Sequence, residues 1–144
     1  YLNLVNQFSI IMTNKSKKIL ADISAGELLD KISILEIKLE KVTDKINLHE
    51  VKKEYDMLKK TQNFSIEFND DFKSLFNILK EVNLILWNTE DKIRICEKNK
   101  DFGKSFVELA RQVYINNDKR SQIKSQINKK SGSNIREVKQ YIDY

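Results

Sequence analysis

Two short runs carry the residues best suited to chemistry. In "LWNTEDKIRICEK", residues 86–98, Trp87, Glu90, Arg94 and Glu97 recur at steps of three and four, and in "VYINNDKRSQIK", residues 113–124, Val113, Asn117, Arg120 and Lys124 do the same. At the helical period each set falls on one face. An arginine fork can donate two parallel hydrogen bonds to phosphate or carboxylate, so Arg94 and Arg120 suit an anion, with Lys124 as an added point charge. Asn83 and Asn117 would orient the anion, and Trp87 and Tyr114 would wall it. Glu90, if desolvated beside Trp87, is the candidate acid or base. The same charges have a plainer use. Glu90 with Arg94, Arg94 with Glu97, and Arg120 with an acid from another helix could satisfy one another, or lie exposed in pairs each contributing about 0.3–0.5 kcal/mol.

These polar faces continue apolar ones. Phe72, Leu75, Phe76, Leu79, Val82 and Leu86 define the core stripe of a third helix, opened by cap candidates Asn69, Asp70 and Asp71. Carried on at steps of three and four, that stripe passes through Asn83, Trp87, Glu90, Arg94 and Glu97. A fourth helix, from about Lys104 to Lys130, starts with Phe106, Leu109, Ala110 and Val113 and turns polar at Asn117, Arg120 and Lys124 before recovering Ile127. The turn "KNKDFGK", with Gly103 and an Asp101 cap, joins the two as an antiparallel hairpin. Arg120 should then lie level with Asn83 and Asn117 with Trp87, with Glu90 close to Val113 and Asn117.

The first helix is signalled by "SAGELLDKISILEIKLEKV", where Ser24 and Glu27 have capping-box spacing and Leu28, Ile32, Leu35, Leu39 and Val42 form one stripe that Ile46 extends. Leu48, Val51, Tyr55 and Leu58 form a stripe displaced by nearly half a turn. This predicts a break within residues 43–47, Asp44 or Asn47 as cap, and a second helix ending near Lys60, with "TQNFSIEFN" as connector. "NIREVKQYIDY" offers a short C-terminal helix through Ile135, Val138 and Ile142. Ile34 and Ile37 lie off the main stripe of the first helix, which makes it apolar on two sides. That helix is expected either to dock a second subunit as a homo-oligomer or to be buried between neighbours.

With no proline and three glycines, long helices are favoured over short strands. The fold expected is all-α: an antiparallel bundle in which the long hairpin carries the first two helices, as one domain over residues 19–144. The net charge of +5, from 26 Lys and Arg against 21 Asp and Glu, is interleaved, which gives nucleic-acid binding little support. No run nears the ~18 apolar residues of a membrane span. Cys96 is the single cysteine, which excludes an internal disulfide and a cysteine zinc cage and fits a cytoplasmic setting. His49 reads as a surface histidine, and no glycine loop could cradle phosphates, so neither metal nor cofactor is expected. Glu27 with Asp30, and Glu90 with Asp91, resemble the paired acids of helical magnesium-dependent nucleotide pyrophosphatases. Those sites, however, gather several carboxylates on one face, whereas Glu27 and Asp30 lie off the core stripe and arginines accompany Glu90. The opening "YLNLVNQFSIIM" is interrupted by Asn3, Asn6 and Gln7 and makes a poor signal peptide. Met12 is the expected natural start, with residues 1–11 as upstream read-through or a fragment end, and residues 1–18 as a disordered or non-native extension.

The segments "GELLDKISILEIKLEK" (26–41), "LWNTEDKIRICE" (86–97) and "DFGKSFVELARQVYINNDKRSQIKSQIN" (101–128) together resemble a family of small bacterial and phage proteins carrying a domain of unknown function. The resemblance runs from about Leu20 to Tyr144 and implies a shared helical fold, with no established activity. It also implies occurrence beside genes for surface-polysaccharide synthesis. The family pattern here includes Gly26, Glu27, Asp30, Lys31, Glu36 and Lys38, then Trp87, Glu90, Asp91, Arg94 and Glu97. It continues through Arg111, Tyr114, Asn117, Asp118, Arg120, Lys124 and Asn128, which adds Arg111 to the candidate ligand-binding residues. Two functions are expected from these residues. The first is binding of a small phosphate- or carboxylate-bearing ligand between helices, with or without catalysis. The alternative is a helical interaction or assembly module, accessory to surface-polysaccharide synthesis and not catalytic.

Overall fold

The computed structural model describes residues 19–140 and 142, and the expectations for residues 1–18 lie outside them. Four helices follow in order: α1 Ala25–Lys41, α2 Lys45–Ser65, α3 Asp70–Asn99 and α4 Lys104–Ser131, with no strand among the described residues. The all-α hairpin architecture predicted from periodicity is the one found, and α3 with α4 is the most extensively packed pair.

Side chains at the helix starts take up orphan backbone donors. Ser24 Oγ accepts from Glu27 N at 3.2 Å, Asp44 Oδ1 from Asn47 N at 2.8 Å and Asn69 Oδ1 from Phe72 N at 3.1 Å. The capping box at α1 is only half made, because the Glu27 carboxylate does not return to its own helix and instead meets Lys124 at 2.8 Å. The α3/α4 turn is closed by Lys100 in the left-handed region, φ 56°, and by Asp101 Oδ1 accepting from Gly103 N at 3.1 Å.

Two elements differ from the sequence expectation. The second helix runs on to Ser65, since Gln62 is buried and accepts a hydrogen bond from Lys59 Nζ at 2.7 Å; the connector is only residues 66–69. The short C-terminal helix is not formed: residues 135–140 have no regular structure. After Gly132, at φ 65°, the chain doubles back until Glu137 reaches Lys124 at 2.8 Å. One or two isolated turns gain too few hydrogen bonds to offset helix nucleation, whereas the extended segment gains this ion pair.

The core joins Leu28, Leu29 and Ile32 of α1 to Phe72, Phe76, Leu79, Val82 and Leu86 of α3 and Ile123 and Ile127 of α4. α1 packs against α2, α3 and α4, and is clamped to α3 by Lys80, which pairs with Glu36 at 3.0 Å and Glu40 at 3.1 Å. Enclosure by three helices explains why α1 is apolar on two sides. Ile37 is 1% exposed within the chain itself, whereas Ile34 stays partly exposed.

Candidate functional site

A cleft of about 200 Å³ opens where α1, α3 and α4 meet. α1 contributes Ile34 and Ile37, α3 contributes Asn83, Leu86, Trp87 and Glu90, and α4 contributes Asn117 and Arg120. The hairpin register expected from the sequence is realised, with Arg120 Nη1 donating to Asn83 Oδ1 at 3.5 Å.

Asn83 is buried, and its amide is oriented by what lies beneath it. Nδ2 donates to Asp30 Oδ1 and to Ser33 Oγ, each at 2.8 Å, while the Ser33 hydroxyl donates to the Asp30 carbonyl at 2.8 Å. The reverse amide orientation would set an oxygen against the Asp30 carboxylate, so the Asn83 oxygen is left to face Arg120. A buried carboxylate is tolerable only with such partners, and Asp30 has one in the amide.

Arg120 is only partly exposed. Its hydrogen bond to Asn83 engages one of five guanidinium donors, and among the described residues no carboxylate lies within ion-pairing distance. A half-buried cation with no carboxylate paired to it is the arrangement that binds an anion.

The other predicted site residues divide. Asn83, Trp87, Glu90, Asn117 and Arg120 come together in the cleft, whereas Arg94, Arg111, Tyr114 and Lys124 do not line it. Arg94, with its side chain 75% exposed, pairs with Glu90 at 3.6 Å on the solvent side. The Glu90 side chain is itself 47% exposed, so the desolvated setting that an acid or base role requires is absent. Arg111 and Tyr114 are exposed nearer the start of α4.

Lys124 is a correction of a different kind. Its side chain is 7% exposed and lies between Glu27 and Glu137, at 2.8 Å from each, so its charge is already spent on α1 and the C-terminal segment. Burial pushes the ammonium pKa down, but hydrogen bonds to Glu137 and Glu27 outweigh it and leave it above the ordinary lysine value. Glu137 is held below the ordinary carboxylate value, first by that hydrogen bond, against the opposing effect of burial.

Asp30 and Ser33 were not foreseen as supports of the site. A usable signal was present: a helix with apolar residues on two sides is enclosed, and polar residues on an enclosed helix must be paired. Gly26 belongs to the same logic, since its N–H donates to Asn128 Oδ1 at 2.7 Å where α1 docks on α4. Among the described residues no group of three or more His, Cys, Asp or Glu is gathered to hold a metal ion, and no helix is long and apolar enough to cross a membrane.

Fold and site together define a small helical bundle built on a long hairpin, with a polar cleft where a third helix crosses it. The chain belongs to a family of unknown function (DUF6165), which it matches over residues 19–143, as the resemblance of its three motifs implied. Neither a curated protein nor a solved structure matches it.

Proposed function

We propose that the chain binds a small phosphate- or carboxylate-bearing ligand in the α1/α3/α4 cleft, with Arg120 as the anion-holding residue. The single observation that carries this reading is the state of Arg120: half-buried, fixed by Asn83, and without a carboxylate partner among the described residues. Asn117 supplies a further hydrogen bond, and the partly exposed Trp87 and Ile34 cover the rest of the ligand. The cleft of about 200 Å³ is open to solvent and suits a metabolite of modest size. Trp87 is the chain's only tryptophan, so its fluorescence reports the site directly. Titration with inorganic phosphate and small mono- and dicarboxylates should perturb it, and ligand at 100 times its dissociation constant should stabilise the fold by about 2.7 kcal/mol. Arg120→Met should abolish both responses while Arg94→Ala keeps them; persistence in Arg120→Met would overturn the assignment.

One observation favours the second reading, a helical assembly module accessory to surface-polysaccharide synthesis. Beyond the cleft, the distal turns of the hairpin carry exposed Ile95, Phe102 and Val107. Light scattering that finds a strict monomer across micromolar concentrations would remove the self-associating form of it. Both readings are proposed for a cytoplasmic protein.

A further inference from the structure

Resting on the reading of the cleft as an anion site, we propose that its ligand is amphoteric: a small acid held at Arg120 whose other end carries an ammonium group received by Glu90. The cleft is ordered by polarity along α3. Asn83, with Arg120 opposite, forms the cationic end, and Glu90 lies seven residues on, about 10 Å along the axis at 1.5 Å per residue. Between these ends the partly exposed Ile34 and Trp87, backed by the buried Ile37 and Leu86, offer contact area to a hydrocarbon or ring and, at the indole face, a favourable surface for a cation.

This order discriminates among anions. A dicarboxylate or diphosphate lying along the cleft sets its second negative charge against Glu90. A simple acid meets Arg120 and leaves Glu90 unused. An amino acid with its charges separated by a short apolar spacer meets all three zones. Among the described residues Glu90 pairs with Arg94, at 3.6 Å and with both side chains well exposed, and such pairs are weak enough for a ligand ammonium to displace. Arg94 thereby acts as a competitor for Glu90 and not as a holder of the anion.

The test uses matched probes on the full chain, titrated by calorimetry and Trp87 fluorescence: 4-(aminomethyl)benzoate against 4-ethylbenzoate, and 6-aminohexanoate against hexanoate. Each amino probe should bind roughly three- to fivefold tighter than its partner, the scale of a part-exposed ion pair. Glu90→Gln should erase that advantage. Arg94→Gln should widen the advantage, and Arg120→Met should abolish binding of all four probes. Equal affinities within each pair, or an advantage that survives Glu90→Gln, would overturn the amphoteric assignment while Arg120-dependent binding of the simple acids left the anion site standing. Failure of all four probes to bind would overturn both.

Discussion

The backbone N–H of Gly26 donates to Oδ1 of Asn128 at 2.7 Å, so the first turn of α1 is fastened to the last turn of α4 through the Asn128 side chain. A Cβ at position 26 would stand 2.6 Å from the Lys124 carbonyl oxygen and 2.8 Å from Asn128 Oδ1. The first of these is backbone inside a helix and cannot swing aside. Gly26→Ala should therefore push α1 away from α4 and destabilise the fold by about 1–3 kcal/mol, the usual cost of overpacking. Thermal unfolding followed by circular dichroism checks it, and a melting temperature equal to that of the parent would show that the two helices can separate without loss.

A second prediction concerns the amide under the cleft. Asn83→Ala removes the donor that holds the Asp30 carboxylate and should cost about 1–3 kcal/mol, as for a buried polar group left without a partner. Asn83→Asp should be worse at neutral pH, because it sets a second carboxylate against the first. On acidification one carboxyl takes a proton and can donate to the other. The deficit of Asn83→Asp relative to the parent should therefore shrink as pH falls, whereas that of Asn83→Ala should not follow it; denaturant melts between neutral and mildly acidic pH separate the two.

Periodicity was enough to find what depended on one helix or on one pair. The caps at Ser24, Asp44 and Asn69 and the facing of Asn83 with Arg120 follow from spacing and a short turn, and all occur in the structure. What it could not supply was the reach of a third element. Arg94 continues the stripe of Trp87 and Glu90, but α1 has 17 residues against 30 in α3, about 25 Å against about 45 Å, so nothing need cover that stripe at residue 94. Asp30 and Glu27 sit off the apolar stripe of α1 and look exposed in one dimension, yet α1 has neighbours on three sides. Lys124 shares the phase of Arg120 and differs only in that Glu27 and Glu137 arrive from elsewhere in the chain. Partners distant in sequence decide which cation is spent and which is available.

The Lys124 latch gives a third prediction, with a pH window. Glu137 has a folded pKa below its ordinary value, so its contribution is fully present above about pH 4.3–4.5 and is lost as pH falls through the lowered value. Lys124 has a folded pKa above its ordinary value near 10.5; its contribution is fully present below that pH and is lost only as pH rises through the raised value. The C-terminal segment should thus stay docked between these limits and release on acidification. Hydrogen exchange of residues 133–140 against pH reports it, and Glu137→Gln should remove the acid-side step. Release at the same acidic pH in that variant would mean another group governs docking.

The last prediction separates binding from stability at a single residue. Arg120 gives up part of its hydration in the cleft and donates one hydrogen bond, at 3.5 Å, with no carboxylate among the described residues to offset the loss. Buried or half-buried charges replaced by apolar side chains of similar length are often neutral or stabilising, and Ile34, Ile37 and Leu86 line the same cleft. The Asn83 oxygen, facing an open cleft, can turn to water. Arg120→Met should accordingly leave the fold unchanged or stabilise it by up to about 1 kcal/mol while abolishing anion binding, which is the trade expected where a residue is kept for its ligand. Arg94→Met, at an exposed pair, should move stability by less than about 0.5 kcal/mol and leave anion binding at Arg120 intact. If Arg120→Met instead lost about 2 kcal/mol or more, on the scale of a broken core network, Arg120 would be a strut of the fold and the cleft would have no cation to spare.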